Sequence, residues 1–247
     1  MKRYIVLVVL GWAALLGNLA WAGSAHENST ERLQNSADVL KEVGGAPDKG
    51  IPEEVLNNSK CIVVIPHLVK AGFIVGAKHG RGVAVCRTGA GWSAPAFISV
   101  SGGSWGLRIG AEGVDLVMLV MNDSGLRRLL SSKFEITGEG SAAAGPVGRH
   151  ASAGTDWKLN TELLTYSRSR GIFAGLTLEG AVVEQDADST VAIYGRDFPF
   201  KKILLGDVAA PAPAAPFLRA VTEISHQARA QEAREQTPEN QKKENQK

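Results

Sequence analysis

From Val55 to Ala111 the chain carries neither aspartate nor glutamate, while six Lys/Arg and ten glycines fall in the same stretch. Its hydropathy is that of strands. Cys61 to Ile65 is a β-branched run ending at Pro66, and Gly72–Val75 and Gly82–Cys86 are further runs. Trp92 to Val100 alternates, with Pro95 pointing to an edge or a bulge. Ser104 to Gly110 sets Trp105, Leu107 and Ile109 on one face and Arg108 on the other. Val114 to Met121 is almost continuously apolar, as a central strand buried on both faces requires. One sign of charge on a glycine-rich sheet is a candidate anion-binding surface.

Helical spacing brackets these strands. Ser29–Val43 repeats Leu33, Ala37 and Leu40 behind a Ser29 or Thr30 cap, and Pro52–Asn58 carries Glu53 and Glu54 in its first turn. Ser124 to Leu130 predicts a short helix. Gly138–Gly154 is rich in small residues, which serve either a linker or close backbone packing. Leu163–Tyr166 and Ile172–Glu184 read as strands, Asp186–Ser189 as a turn, and Thr190–Tyr194 as a short strand or helical turn. The fold class expected is α+β: one domain with a β-rich antiparallel core and short flanking helices.

Residues 1–22 have the form of a signal peptide: Lys2 and Arg3, an apolar stretch from Tyr4 to Leu16, then Ala20-Trp21-Ala22 before the cleavage point. The expected product is exported, to a periplasm or beyond. Residues 23–207 form the domain. Residues 208–216 are a stiff Pro/Ala spacer, and 217–247 a short helix followed by a charged tail, disordered from Gln231. That tail is a possible contact for a protein partner. No later stretch has the length and apolarity of a membrane span. Without Lys2 and Arg3 the positive residues number 25, equal to the 25 Asp and Glu, so net charge gives no support to nucleic-acid binding.

The two cysteines, Cys61 and Cys86, end two runs able to pair as a hairpin. Two readings stand open: a disulfide, favoured by an oxidising compartment, or two buried thiols. Lys70, Lys78, Arg81, Arg87 and Arg108 are the candidate anion contacts, with backbone N–H groups at Gly80–Gly82 and Gly102–Gly103 assisting as turns. Gly102-Gly103-Ser104-Trp105-Gly106 matches a nucleophile elbow in letters. The serine is followed by a strand pattern rather than the helix that motif needs. His67, His79 and His150 with Asp115 or Asp156 define no catalytic geometry, and no metal or other cofactor is indicated.

Several segments in fixed order carry a resemblance. They are Ile65-Pro66, Gly72-Phe73, Gly80-x-Gly82-Val83, Gly91-Trp92-Ser93-Ala94-Pro95, Gly145-Pro146, Tyr166-Ser167-Arg168-Ser169-Arg170-Gly171-Ile172-Phe173-Ala174-Gly175 and Tyr194-Gly195. From about Glu31 to Phe217 the chain resembles the SYLF-domain family. The resemblance implies a β-rich fold with flanking helices and a non-enzymatic module that binds anionic phospholipid membranes. Some eukaryotic members also bind actin. Their membrane contact is attributed to a basic N-terminal amphipathic helix. Here the matching Glu27–Glu42 has two positive and four negative residues, a sign that an anionic membrane repels. Thr190 also stands where many members have Asn. The expected activity is therefore anionic-lipid binding by another surface, with an envelope scaffold that binds a protein partner as the alternative.

Overall fold

The computed structural model describes residues 24–45, 50–72, 75–105, 110–147, 161–169, 172–175 and 178–244. In chain order the elements begin with α1 (24–44), α2 (Glu53–Asn58), β1 (Cys61–Gly72), β2 (Val75–Thr88) and β3 (Gly91–Trp92). Then come β4 (Ala96–Trp105), β5 (Gly110–Val120), α3 (Asp123–Leu129), β6 (Lys133–Glu135), α4 (Gly138–Ser141) and β7 (Ala142–Ala144). The last are β8 (Leu163–Ser169), β9 (Ile172–Gly175), β10 (Ala181–Gln185), α5 (Ala187–Tyr194), α6 (Phe200–Leu204) and α7 (Ala215–Glu244).

The strands form one ten-stranded sheet in the order β6-β10-β4-β2-β1-β5-β8-β7, with β3 on β2 and β9 on β8. Every pair is antiparallel except β7–β8. The long chain between those two strands leaves room for the crossover a parallel pair needs. The α+β reading holds, with this one parallel pair added.

Period-two alternation puts apolar residues on both faces. Ile62, Val64, Val83, Val85, Phe97, Val117, Leu119, Leu164 and Tyr166 form one core with α1, α2 and α7. Cys61, Val63, Ile65, Ala84, Cys86, Ile98, Leu116, Met118 and Val120 form the other, with α3 and α6. β5 is flanked by β1 and β8 and is buried on both sides from Leu116 to Val120, as its continuous apolar run predicts.

β1 continues through Pro66, because a bulge between Ile65 and Leu68 takes the proline out of the ladder. His67 sits in that bulge with φ of 57°. The crowding explains Gly82: a Cβ there would lie 2.1 Å from the Val64 carbonyl oxygen. The run read at Gly72–Val75 is the junction of β1 and β2, and its residues 73 and 74 lie outside the described residues. So do 106–109 of the run at 104–110, and residues 1–22. The run at 172–184 is two strands, β9 and β10. Asp186 to Ser189 opens α5, with Asp186 as its N-cap.

Two helices exceed the expected short length. α1 starts at residue 24, so Ser29 lies within it and is buried. The 208–216 spacer is corrected too: Ala212–Ala214 is a 3-10 turn with Ala214 buried, and α7 starts at Ala215. Pro216 stands in the first turn, where a helix needs no N–H from it. Phe217, Ala220, Val221, Ile224 and Ala228 then make a stripe at helical spacing that closes the first core. α7 continues to Glu244, so the disordered tail expected from Gln231 is helical over that range. Cys61 and Cys86 are register partners and form a disulfide, which settles the two open readings.

Candidate functional site

The four predicted cations among the described residues do not converge on one place. Lys70 and Lys78 are register partners across β1–β2, on the side of Ala84 and Cys86. Lys78 is 8% exposed, and its Nζ donates to the Glu179 carbonyl at 3.1 Å. Arg81 and Arg87 share the opposite parity with Val83 and Val85, and six strand residues put them about 20 Å apart. Arg108 lies outside the described residues. The glycine turns are corrected as well. Gly80, Gly82, Gly102 and Gly103 lie within paired β2 and β4, opposite Val100, Ile98, Lys78 and Ala77. Their N–H groups serve no anion-binding turn.

The absence of carboxylates in 55–111 does not survive folding. Asp186, distant in sequence, comes to β2 and α1. Its Oδ2 lies 3.0 Å from Arg32 Nη1 and 3.9 Å from Arg81 Nε. Oδ1 accepts from the Ser189 N–H at 3.1 Å, and Oδ2 from the Ser189 hydroxyl at 2.8 Å. Burial pushes the Asp186 carboxyl up, but the Ser189 bonds and the two guanidiniums outweigh it and hold it below the usual carboxylate range. Burial lowers Arg32 despite its partner. The Arg32 guanidinium also lies 5.7 Å from the Phe97 ring centre. Thus α1 turns Arg32, Leu33, Ser36, Ala37 and Leu40 into the protein, leaving Glu27, Glu31, Asp38, Lys41 and Glu42 outside.

A cleft of about 380 Å³ opens where the β2–β3 turn meets α7. Its lining includes Arg87, Thr88 and Trp92 on one wall and Ser225, His226 and Arg229 on the other. Arg87 is half-buried and fixed in place. Nε donates to the Ser59 carbonyl at 2.9 Å, Nη2 to the Leu56 carbonyl at 3.2 Å, and the guanidinium stacks 4.5 Å from the Trp92 ring centre. Burial and then the charge of Arg229 push Arg87 below its ordinary value. Among the described residues no carboxylate lines the cleft. His226 and Arg229 escape a reading that ends the domain at 207. The signal for them was the apolar stripe from Phe217 to Ala228, which fixes the face that 222, 225, 226 and 229 present.

The recurrent motifs are mostly architectural. Tyr194 Oη donates to the Pro95 carbonyl at 2.7 Å, which joins the GWSAP segment to α5. Tyr166 is wholly buried, and a Cβ on Gly145 would lie 2.0 Å from its Cζ, so Gly145 is what admits the ring. Arg168 pairs with Glu42 and, at 3.4 Å, with Asp115, whose Oδ1 accepts from the His67 N–H. Ser104 lies in β4 and not at a strand-to-helix elbow. His150 and Asp156 lie outside the described residues. Among the described residues no group of His, Cys, Asp and Glu is placed to hold a metal ion, and no helix is long and apolar enough to cross a membrane.

Residues 101–224, half of the chain, match the family model described as "Ysc84: Las17-binding protein actin regulator". The SH3 domain-containing YSC84-like protein 1 of Rattus norvegicus is 32% identical over 194 residues, which cover 76% of this chain and 57% of that protein. Protein YSC84 of Saccharomyces cerevisiae is 34% identical over 176 residues, covering 70% of this chain and 37% of that protein. The chain spans about half the length, or less, of these curated relatives.

Proposed function

The chain belongs to the Ysc84 (SYLF) family, and on that premise we propose that it is an exported, non-enzymatic binding module that docks on anionic lipid at a membrane surface. Arg81 carries this reading. Arg32 and Arg81 face the single carboxylate of Asp186, so one positive charge is left over, and Arg81, with its side chain 55% exposed, presents it to solvent. Near an anionic surface such a cation contributes about 1 kcal/mol. The acidic outer face of α1 argues against contact through that helix, whose apolar side is already in the core. Export rests on the leader pattern in residues 1–22, and the Cys61–Cys86 disulfide suits an oxidising periplasm.

The second reading is an envelope scaffold for a protein partner, favoured by the protein ligand in the family description. Co-sedimentation of residues 23–247 with phosphatidylglycerol vesicles separates the two. The lipid reading expects binding to these vesicles and not to phosphatidylcholine ones, weakened about fivefold by Arg81→Gln if one cation's share is lost. Absence of binding to either vesicle overturns it and leaves the scaffold.

A further inference from the structure

The cleft between the β2–β3 turn and α7 is a second cationic place, at the other end of the Arg81–Arg87 stretch. Two guanidiniums enter it from opposite walls, with His226 beside Arg229. Neither Arg87 nor Arg229 is paired with a carboxylate among the described residues. Arg87 does not need an anion to hold its position, since two carbonyls and the Trp92 ring already do so. A cation fixed before binding loses little freedom when an anion arrives.

We propose that this cleft binds one tetrahedral oxyanion of the phosphate class, borne either by a small soluble molecule or by a lipid headgroup. The donor geometry favours this class over a carboxylate. The Nε–Nη2 edge of Arg87, which would take a planar carboxylate in a two-pronged grip, is occupied by the Ser59 and Leu56 carbonyls. What remains is a donor from one wall and Arg229 with His226 from the other. A tetrahedral anion offers three or four oxygens in different planes to donors on the two walls, where a carboxylate offers two coplanar ones.

The hydroxyls sharpen this further. Ser225 Oγ donates to the Val221 carbonyl at 2.7 Å and Thr222 Oγ1 to the Leu218 carbonyl at 2.8 Å, so the charge-bearing donors are the cationic side chains. The volume, about 380 Å³, lies at the small end of ligand sites and suits a headgroup or a small phosphate ester without its acyl chains. The site stands or falls separately from Arg81.

The test is calorimetric titration of folded residues 23–247 with inorganic phosphate and with glycerol 3-phosphate. Sedimentation with phosphatidylglycerol vesicles runs in parallel, for wild type, Arg229→Gln and Arg81→Gln. Arg229 is on an exposed helix position, so its variant is expected to melt like wild type. Losing one charge-assisted contact is expected to weaken binding about tenfold. Soluble phosphate binding that Arg229→Gln weakens and Arg81→Gln spares identifies a small-molecule site. Vesicle binding alone, weakened by Arg229→Gln, identifies a headgroup site. No phosphate binding together with vesicle binding indifferent to Arg229→Gln overturns the proposal, and the Arg81 reading survives that result. Loss of vesicle binding in Arg81→Gln has no bearing on the soluble-phosphate arm.

Discussion

Arg32 and Asp186 are separated by 154 residues and meet at 3.0 Å in a site where both side chains are under one-tenth exposed. This pair fixes α1 to the start of α5 and sets Arg81 beside them. Removing one partner of a buried pair leaves the other charge uncompensated, at about 3–5 kcal/mol. Arg32→Ala is expected to lower unfolding stability by that amount in urea titrations. A loss under 1 kcal/mol would mean that α1 is held by its apolar stripe alone.

The same carboxylate sets an acid limit. Its folded-state value is depressed, so its stabilisation is fully present above the unfolded carboxylate's value of about 3.9. It drains away as the pH falls through the folded value. Stability measured from pH 6 downward is expected to fall more steeply in wild type than in Asp186→Asn, which starts lower but has lost this titration.

Truncation tests where the domain ends. A chain stopping at 208 loses Phe217, Val221 and Ile224 from the core. Burying each large apolar side chain contributes about 1.5–3 kcal/mol, so that chain is expected to lose most of its cooperative melting transition. A chain ending at 230 keeps the stripe and is expected to melt within a few degrees of the full protein. Circular dichroism melts of the two read this directly.

Gly145 and Tyr166 make a steric prediction. Gly145→Ala places a methyl against the Tyr166 ring, and overpacking of this kind costs about 1–3 kcal/mol. Tyr166→Phe is expected to be neutral or slightly stabilising, because the buried Tyr166 hydroxyl finds no hydrogen-bond partner among the described residues. A large loss in Tyr166→Phe would contradict that picture.

The disulfide closes a loop between residues 25 apart in sequence. The loop-entropy account gives it about 3–4 kcal/mol. Replacing both cysteines by serine is expected to cost at least that much, since two hydroxyls would enter the core. Reduction of the native protein is expected to be slow, because both cysteines are almost fully buried.

What the sequence disclosed was local pattern. The apolar run of β5, the proline-started α2 and the hairpin of the two cysteines follow from period and composition, and they stand as read. What it concealed was neighbourhood. Six positions along one strand separate Arg81 from Arg87, and the alternation of strand faces separates both from Lys70 and Lys78. No linear count of charges shows that. Asp186 neutralises part of a stretch that looked free of acid because folding brings it beside Arg81, which is distant from it in sequence. The prolines of 211–216 read as a spacer by composition, although the stripe beginning at Phe217 held the opposite signal.

The most direct measurement is the salt dependence of binding by residues 23–247 to phosphatidylglycerol vesicles, with phosphatidylcholine vesicles alongside. Binding is expected to the anionic vesicles alone, falling steadily as salt screens the contact. Equal binding to both vesicles, or none to either at low salt, would contradict it.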